Sequence, residues 1–375
     1  MPAALAIAPG AAVASGAAVA SGAAVASVAK CNVWSGVAAP NPGAATNMLN
    51  GVTALSPCNV WAVGFYKDDI NGMSLSMAEH WNGVSWTVSL PPSPDTDDNI
   101  LEAVSGASPN RIWAVGQTGQ ASYIVEWNGS SWSQVPSPNP STSTDLTGVA
   151  AVSNDSAWAV GDFRSTSLNA LVVHWNGSAW TRHAAPTPGI FSDLVGVTAL
   201  SGRNAWAVGD YATASGTKTL IEHWNGSRWA QVHSPNPRQS TGDIGLDGVA
   251  GTSPTNVWAV GFYAVGGHDK TLIEHWNGRA WKIVASPSPG NANFLNTVTV
   301  TTARNAWAVG DTVIHGKQET LIVHWNGRAW SRVASPSPDG GSELTGVAAT
   351  GSSGVWAVGD SSVPGMTRVL VAHCC

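Results

Sequence analysis

Six histidines stand at one position of a repeated text, His80, His174, His223, His275, His324 and His373, with Glu126 in the seventh copy. Imidazoles in number suggest a bound transition metal or general acid–base chemistry. Each of these, however, belongs to a different copy of the repeat. Copies set side by side hold them too far apart to share a metal whose ligands sit about 2 Å away. The expected role is a hydrogen bond inside each copy. The expected partner, where present, is the aspartate after a Trp-x-Val-Gly tetrapeptide, at Asp162, Asp210, Asp311 and Asp360, whereas Phe65, Gln117 and Phe262 hold that place in other copies.

A second set of chemically able residues lies between the repeated elements. It comprises Lys67, Asp68 and Asp69, then Asp95, Asp97 and Asp98, then Arg164, Tyr211 and Lys218. Tyr263, His268, Asp269, Lys270, His315 and Lys317 complete it. Tyrosine beside polar groups suits a sugar, whose ring packs on the aromatic face while the polar groups read its hydroxyls. The same residues also suit solvated loop tips. Asp95-Thr96-Asp97-Asp98 has oxygens for a hard cation but lacks the glycine and distal glutamate of an EF-hand loop, so no metal site is assigned. No Gly-x-Ser-x-Gly, His-Glu-x-x-His or Gly-x-x-x-x-Gly-Lys occurs. No catalytic residue or cofactor is therefore assigned. The enzyme alternative is a polysaccharide hydrolase or lyase whose carboxylates converge from separate copies, with Asp97 and Asp269 as first choices.

Elements that hold such residues are short strands. Of 375 residues only 11% are charged, while there are 41 Gly and 20 Trp, a balance that favours strands and tight turns over helices. Lys and Arg total 17 against 23 Asp and Glu, and no basic run tracks a phosphate backbone, so nucleic acid is not an expected partner.

Trp-x-Val-Gly recurs seven times, at Trp61, Trp113, Trp158, Trp206, Trp258, Trp307 and Trp356, with spacings of 45 to 52 residues. Six copies add Trp-Asn-Gly-x-x-Trp, as in Trp175 to Trp180. One unit reads as four strands, near 146–152, 157–162, 171–175 and 179–183. Asn-Gly predicts a two-residue hairpin turn that sets Trp175 opposite Ser178 and Val173 opposite Trp180, with both Trp on one face. Apolar residues on both faces require burial between neighbours, so the units must stack in a ring. A Pro-x-Pro element once per unit, such as Pro186/Pro188, is expected to fix the extended crossing to the next unit. The Asn-Gly-Ser triplets at Asn128, Asn176 and Asn225 match the glycosylation sequon but read as turn chemistry.

The seventh unit ends after a third strand, Leu370 to His373. The missing fourth strand stands at the other end, around Asn32 to Val37, where Trp34 and Pro40-Asn41-Pro42 match Trp330 and Pro336-Ser337-Pro338. The fold class is therefore all-β: a seven-bladed β-propeller of four-stranded antiparallel blades, with the N-terminal strand completing the last blade. These motifs resemble repetitive bacterial secreted β-propellers over about residues 30–375. The hairpin is similar to the sialidase-type Asp-box and to the tectonin repeat of propeller lectins. An Asp-box would read Ser-x-Asp-x-Gly-x-x-Trp, so the resemblance implies fold alone, and no catalytic residue carries over.

The repeat register brings the chain ends together. Cys31, Cys58, Cys374 and Cys375 are therefore disulfide candidates, with Cys31 expected to join Cys375 or Cys374 and Cys58 to take the remaining one. Residues 1–29 repeat AAVASG and end Ser27-Val28-Ala29. They are read either as a secretory signal cut before Lys30, without the usual basic start, or as a retained arm. Ala, Ser and Gly give too little transfer energy for a membrane span. The expected domains are thus a signal-like segment over 1–29 and a propeller over 30–375, and the expected location is extracellular. Loop length varies on one face of the ring only, so a ligand is expected there. The function read from these features is non-catalytic binding of carbohydrate or a cell-surface polymer, with a self-assembling structural protein as a further alternative to the enzyme.

Overall fold

The computed structural model describes residues 33–374 apart from 69, 71, 95, 96, 339, 352 and 353. Among them lie seven antiparallel sheets of four strands each, in simple up-and-down order from an inner to an outer strand. Blades 1 to 6 span residues 47–88, 99–134, 144–183, 191–231, 244–283 and 292–333. Blade 7 has three strands between 342 and 374, and Trp34–Gly36 pairs antiparallel with Met366–Cys374 to supply its outer strand.

Blade 3 shows how the residues make the unit. Thr144–Ser153 is the inner strand, followed by Ser156–Arg164, Leu168–Trp175 and Trp180–His183. The second strand is buried on both faces from Ala157 to Val160, as a sheet held between two neighbours must be. The Asn-Gly hairpin differs from the two-residue turn its sequence suggests. Trp175 pairs with Trp180 and Val173 with Arg182, so Asn176 to Ala179 form a four-residue connection. The Asn176 Oδ1 accepts hydrogen bonds from the N–H groups of Ser178 and Ala179, both at 3.0 Å, and Gly177 takes a φ of 93°. The side chain closes the turn that a two-residue loop would have left to the backbone. Both tryptophans still share a face.

Tryptophan joins the blades. Each Trp of the Trp-x-Val-Gly motif meets, edge to face, the outer-strand Trp of the next blade. Trp158 lies 5.1 Å from Trp229 at 86°, and Trp113 lies 5.1 Å from Trp180 at 84°. Trp307 meets Trp34 at 5.6 Å and Trp356 meets Trp86 at 5.4 Å, so the same contact closes the ring across the chain ends. Such pairs are worth about 0.5–1.5 kcal/mol each beyond their buried area.

Outer strands of three or four residues leave the first half of each longer third strand without a partner. The Pro-x-Pro crossing covers it. The Asn236 Oδ1 accepts from the Thr219 N–H at 3.1 Å, the Ser337 Oγ from the Thr320 N–H at 2.9 Å, and the Asn41 Oδ1 from the Val369 N–H at 3.0 Å. A proline on each side cannot donate, and the residue between them supplies the acceptor that the ladder lacks.

Cys374 is buried opposite Trp34, while Cys31 and Cys375 lie outside the described residues. Cys58 is free and exposed, which removes it from the expected pairings. Its sulfur would stand 2.9 Å from a β-carbon at Gly83. It holds the place over a hairpin glycine that Asn110, Asp155 and Arg203 hold in the next three blades, so its position answers to its own hairpin and not to the chain ends.

Candidate functional site at the mouth of the axial channel

Every inner strand carries a bulge directly after a leucine that recurs in each blade, between Leu49 and Gly51 in blade 1 and between Leu344 and Gly346 in blade 7. The extra residue lines the axis. Asn50, Glu102, Thr147, Val195, Asp247, Asn296 and Thr345 thus ring a channel of about 410 Å³, with glycine or another small residue next in each strand. Four of them donate to the leucine carbonyl of the following blade. Asn50 reaches Leu101, Thr147 reaches Leu194 and Asn296 reaches Leu344, each at 2.9 Å, and Thr345 reaches Leu49. Glu102 and Asp247 bring carboxyls to the same ring, and the Asn50 Nδ2 donates to the Glu102 carboxylate at 3.0 Å.

Where the first two strands meet the loop-variable face, acids face acids. Asp145 stands opposite Asp162, Asp193 opposite Asp210 and Glu343 opposite Asp360. Like charges in directly opposed positions repel. Burial, followed by the repulsion of Asp145 and Asp193, pushes the Asp162 carboxyl up to about 6 even though Arg164 pulls it down. Burial and then Asp193 push Asp247 to about 7. In the Asp193–Asp210 pair both carboxyls are raised, by burial first, and Asp210 also by its partner. Burial, then a charge-assisted lowering by Gln318, then Glu343 set Asp311 at about 6. The Gln318 Nε2 donates to Asp311 at 3.1 Å and to Glu343 at 3.2 Å. From Glu102 in blade 2 to Asp247 in blade 5 the mouth is an arc of half-buried carboxyls.

Sequence reasoning missed most of this arc. Its signal was present: an acid directly before the inner-strand leucine, at Asp145, Asp193 and Glu343, and an acid after the Trp-x-Val-Gly glycine 17 residues later. That spacing is a hairpin register.

The histidine column is corrected in its partner. The His80 Nε2 meets the Asn59 Oδ1 at 3.0 Å, His223 meets Asn204 at 3.1 Å, His275 meets Asn256 at 2.9 Å and His324 meets Asn305 at 2.7 Å, while His174 meets the Ser156 hydroxyl. The aspartates expected there lie near the other end of the second strand, out of reach. Each imidazole also lies against the Trp of its own blade, stacked as His324 is on Trp307 at 4.0 Å or tilted as His174 is on Trp158 at 4.2 Å. Glu126 pairs with Arg111 at 3.2 Å.

Many of the loop residues bind their own turns. The Asp98 Oδ1 accepts from the Ser74 N–H at 2.7 Å, linking blades 1 and 2, and the Asp97 carboxyl lies over Gly119. Asp68 accepts from the Ile70 N–H. The Asp269 carbonyl accepts from Asn293 at 2.8 Å. His315 adopts a φ of 51° in a tight hairpin with Gly316, and His268 closes the corresponding hairpin of blade 5. Lys67 ends the second strand of blade 1. Tyr211 pairs across the sheet with Lys218, and Tyr263 with Lys270. Tyr263 also lines a cavity of about 560 Å³ with Asn236, Arg238 and Gln239 of the blade 4–5 crossing. Lys317 borders a second cavity beside Glu319 and Arg332. Arg164 alone of the set acts on the carboxyl arc. Asp69 and Asp95 lie outside the described residues. No group of three or more His, Cys, Asp or Glu among the described residues is arranged to hold a metal ion, and no helix among them is long and apolar enough to cross a membrane.

No protein-family profile and no curated protein matches the chain. Solved structures do. YCF48 from Cyanidioschyzon merolae is 15% identical with a TM-score of 0.56, covering 91% of this chain and 98% of its own. YCF48 bound to D1 peptide is 16% identical at 0.58, over 92% and 97%. U3-55K is 9% identical at 0.59, over 87% and 95%. Identities this low speak for shape and not for role, and with the sheets described above they make the chain a seven-bladed β-propeller.

Proposed function

We propose that the protein is a non-catalytic binding propeller that captures a basic segment of another protein across the mouth of its channel. The observation that carries this reading is the arc of opposed, half-buried carboxyls from Glu102 to Asp247, on which Arg164 is the one cation acting among the described residues. A lysine or arginine placed among them would relieve their repulsion and form charge-assisted hydrogen bonds. A propeller of similar fold, YCF48, is described as bound to a peptide, which supports a proteinaceous ligand. The test is fluorescence anisotropy with a labelled Arg/Lys-rich peptide and its Gln-substituted counterpart. The basic peptide should bind, and affinity should drop at least about tenfold in Asp193→Asn/Asp210→Asn and in high salt. Equal affinity for both peptides, or none for either, would sink the reading.

A second reading, a glycan ligand, is favoured by the Tyr263 cavity. There an aromatic face stands beside the guanidinium of Arg238 and the amides of Asn236 and Gln239. A glycan array on which Tyr263→Ala binds as the wild type would remove it. Residues 1–29 are proposed as an export segment, and the chain ends as clamped through Cys374. Non-reduced intact mass with N-terminal sequencing tests both.

A further inference from the structure

Third strands carry one residue per blade that points into the seam with the preceding blade. In blades 2, 3 and 6 it is Val125, Val173 or Val323, and in blade 7 Ala372. In blades 1, 4 and 5 it is Glu79, Glu222 or Glu274, and all three glutamates are wholly inaccessible to solvent. They replace core valine with a carboxyl.

The seams treat these carboxyls differently. Glu274 faces the crossing that follows blade 4, where the Ser234 Oγ donates to both its oxygens at 3.0 and 3.1 Å. In the corresponding crossings the serine position is Ala185 after blade 3 and Ala39 after blade 7, each packed into the seam. Glu222 and Glu79 accordingly have no hydrogen-bond partner for either oxygen. Among the described residues no cation compensates them. Asp360, Arg368 and His373 lie on the blade 7 strands packed against Glu79, with Tyr66 in its own blade. Asp162, Arg182 and His183 lie on the blade 3 side of Glu222, with Tyr211 in its own blade. Asp210 and His233 lie on the blade 4 side of Glu274, with Tyr263 and Lys282 in its own blade. None of these acts on the three carboxyls, which burial alone pushes up to about 8, Ser234 pulling only Glu274 down.

We propose that Glu79, Glu222 and Glu274 make the seams between blades 7 and 1, 3 and 4, and 4 and 5 pH-gated joints, closed while the carboxyls hold their protons and opened when they ionise. An isolated carboxylate cannot stay in such a site, so ionisation and closure exclude one another. The folded value lies above the unfolded one. Each glutamate's contribution is therefore fully present below about pH 4.5 and is lost as pH rises toward 8. The other four seams lack the device.

The experiment is equilibrium urea unfolding of the full chain and of Glu222→Val at pH 5, 6, 7 and 8. The ratio of wild-type to variant unfolding constants should rise about tenfold per pH unit and level off near pH 8, and effects of the histidines cancel in that ratio. A ratio that stays constant with pH overturns the proposal. Should Glu222→Val not fold, Glu222→Gln carries the same comparison. Ala185→Ser, which supplies the partner that Glu274 has, should make the slope shallower. Infrared spectra at pH 7 should show protonated-carboxyl absorption that is reduced in Glu79→Gln/Glu222→Gln/Glu274→Gln. Its persistence unchanged would also overturn the assignment.

Discussion

A β-carbon at Gly161 would stand 2.1 Å from the carbonyl oxygen of Asp145, and the glycine of every other Trp-x-Val-Gly motif meets its inner strand in the same way. The glycine exists because the bulge pushes the inner strand against the second. Gly161→Ala should therefore cost about 3 kcal/mol, read from the urea midpoint. Histidine works by a different logic. Burial lowers His80, His223, His275, His324 and His373, and burial with the nearby His183 lowers His174 to about 4. The fold favours their neutral form: all six rings lie against tryptophan, and the Nε2 of His80, His174, His223, His275 and His324 is hydrogen-bonded. The unfolded chain takes up protons as pH falls below about 6.5, so each histidine removes stability from there down to its native value. Between pH 6.5 and 4.5 the thermal midpoint of the wild type should therefore lose ground to that of His174→Gln, the difference between the two curves reporting this histidine's cost. The buried glutamates oppose this, losing stability as pH rises from about 4.5 toward 8, so the two windows overlap and their balance sets the pH of maximum stability.

At the level of the strand, the repeat solves two shortages of hydrogen-bonding groups. The Asn of Asn-Gly supplies an acceptor for two N–H groups in the outer hairpin, and the residue inside Pro-x-Pro supplies one for the half of the third strand that no outer strand pairs. Thr219 is almost wholly buried, so its N–H would have no water to turn to. Asn236→Ala should destabilise the protein by about 1–2 kcal/mol in chemical denaturation, whereas Asn236→Ser should retain most of the stability, because Ser288 and Ser337 make the same bond in blades 5 and 6.

Across the whole molecule, closure depends on three residues at the start of the described chain. Trp34–Gly36 completes blade 7 and gives Trp307 its edge-to-face partner. A chain lacking residues 1–36 should unfold at a lower temperature. It should also form dimers detectable by light scattering, because Met366–Cys374 would become an open strand edge. A monomer of unchanged thermal midpoint would show that the remaining six seams suffice.

Blade number, strand order and the closing strand were legible in the sequence because repetition aligns each residue with its six counterparts, and a counterpart missing at one end was visible at the other. The shared face of Trp175 and Trp180 was legible for the same reason, though the four-residue turn was not, since it depends on where the Asn176 side chain finds its donors. The acidic mouth could not be read from one copy. Asp145 and Asp162 already meet within blade 3, but Asp162, Asp193 and Asp247 come together only when neighbouring blades are laid side by side. Tertiary structure alone likewise decided that the histidines meet Asn and Ser and not Asp, because a side chain's partner depends on which end of the strand it leaves. It alone also separated Glu274, which has a serine opposite, from Glu79 and Glu222, which have alanine. Local pattern sets the blade; contacts between blades set its charges and their partners.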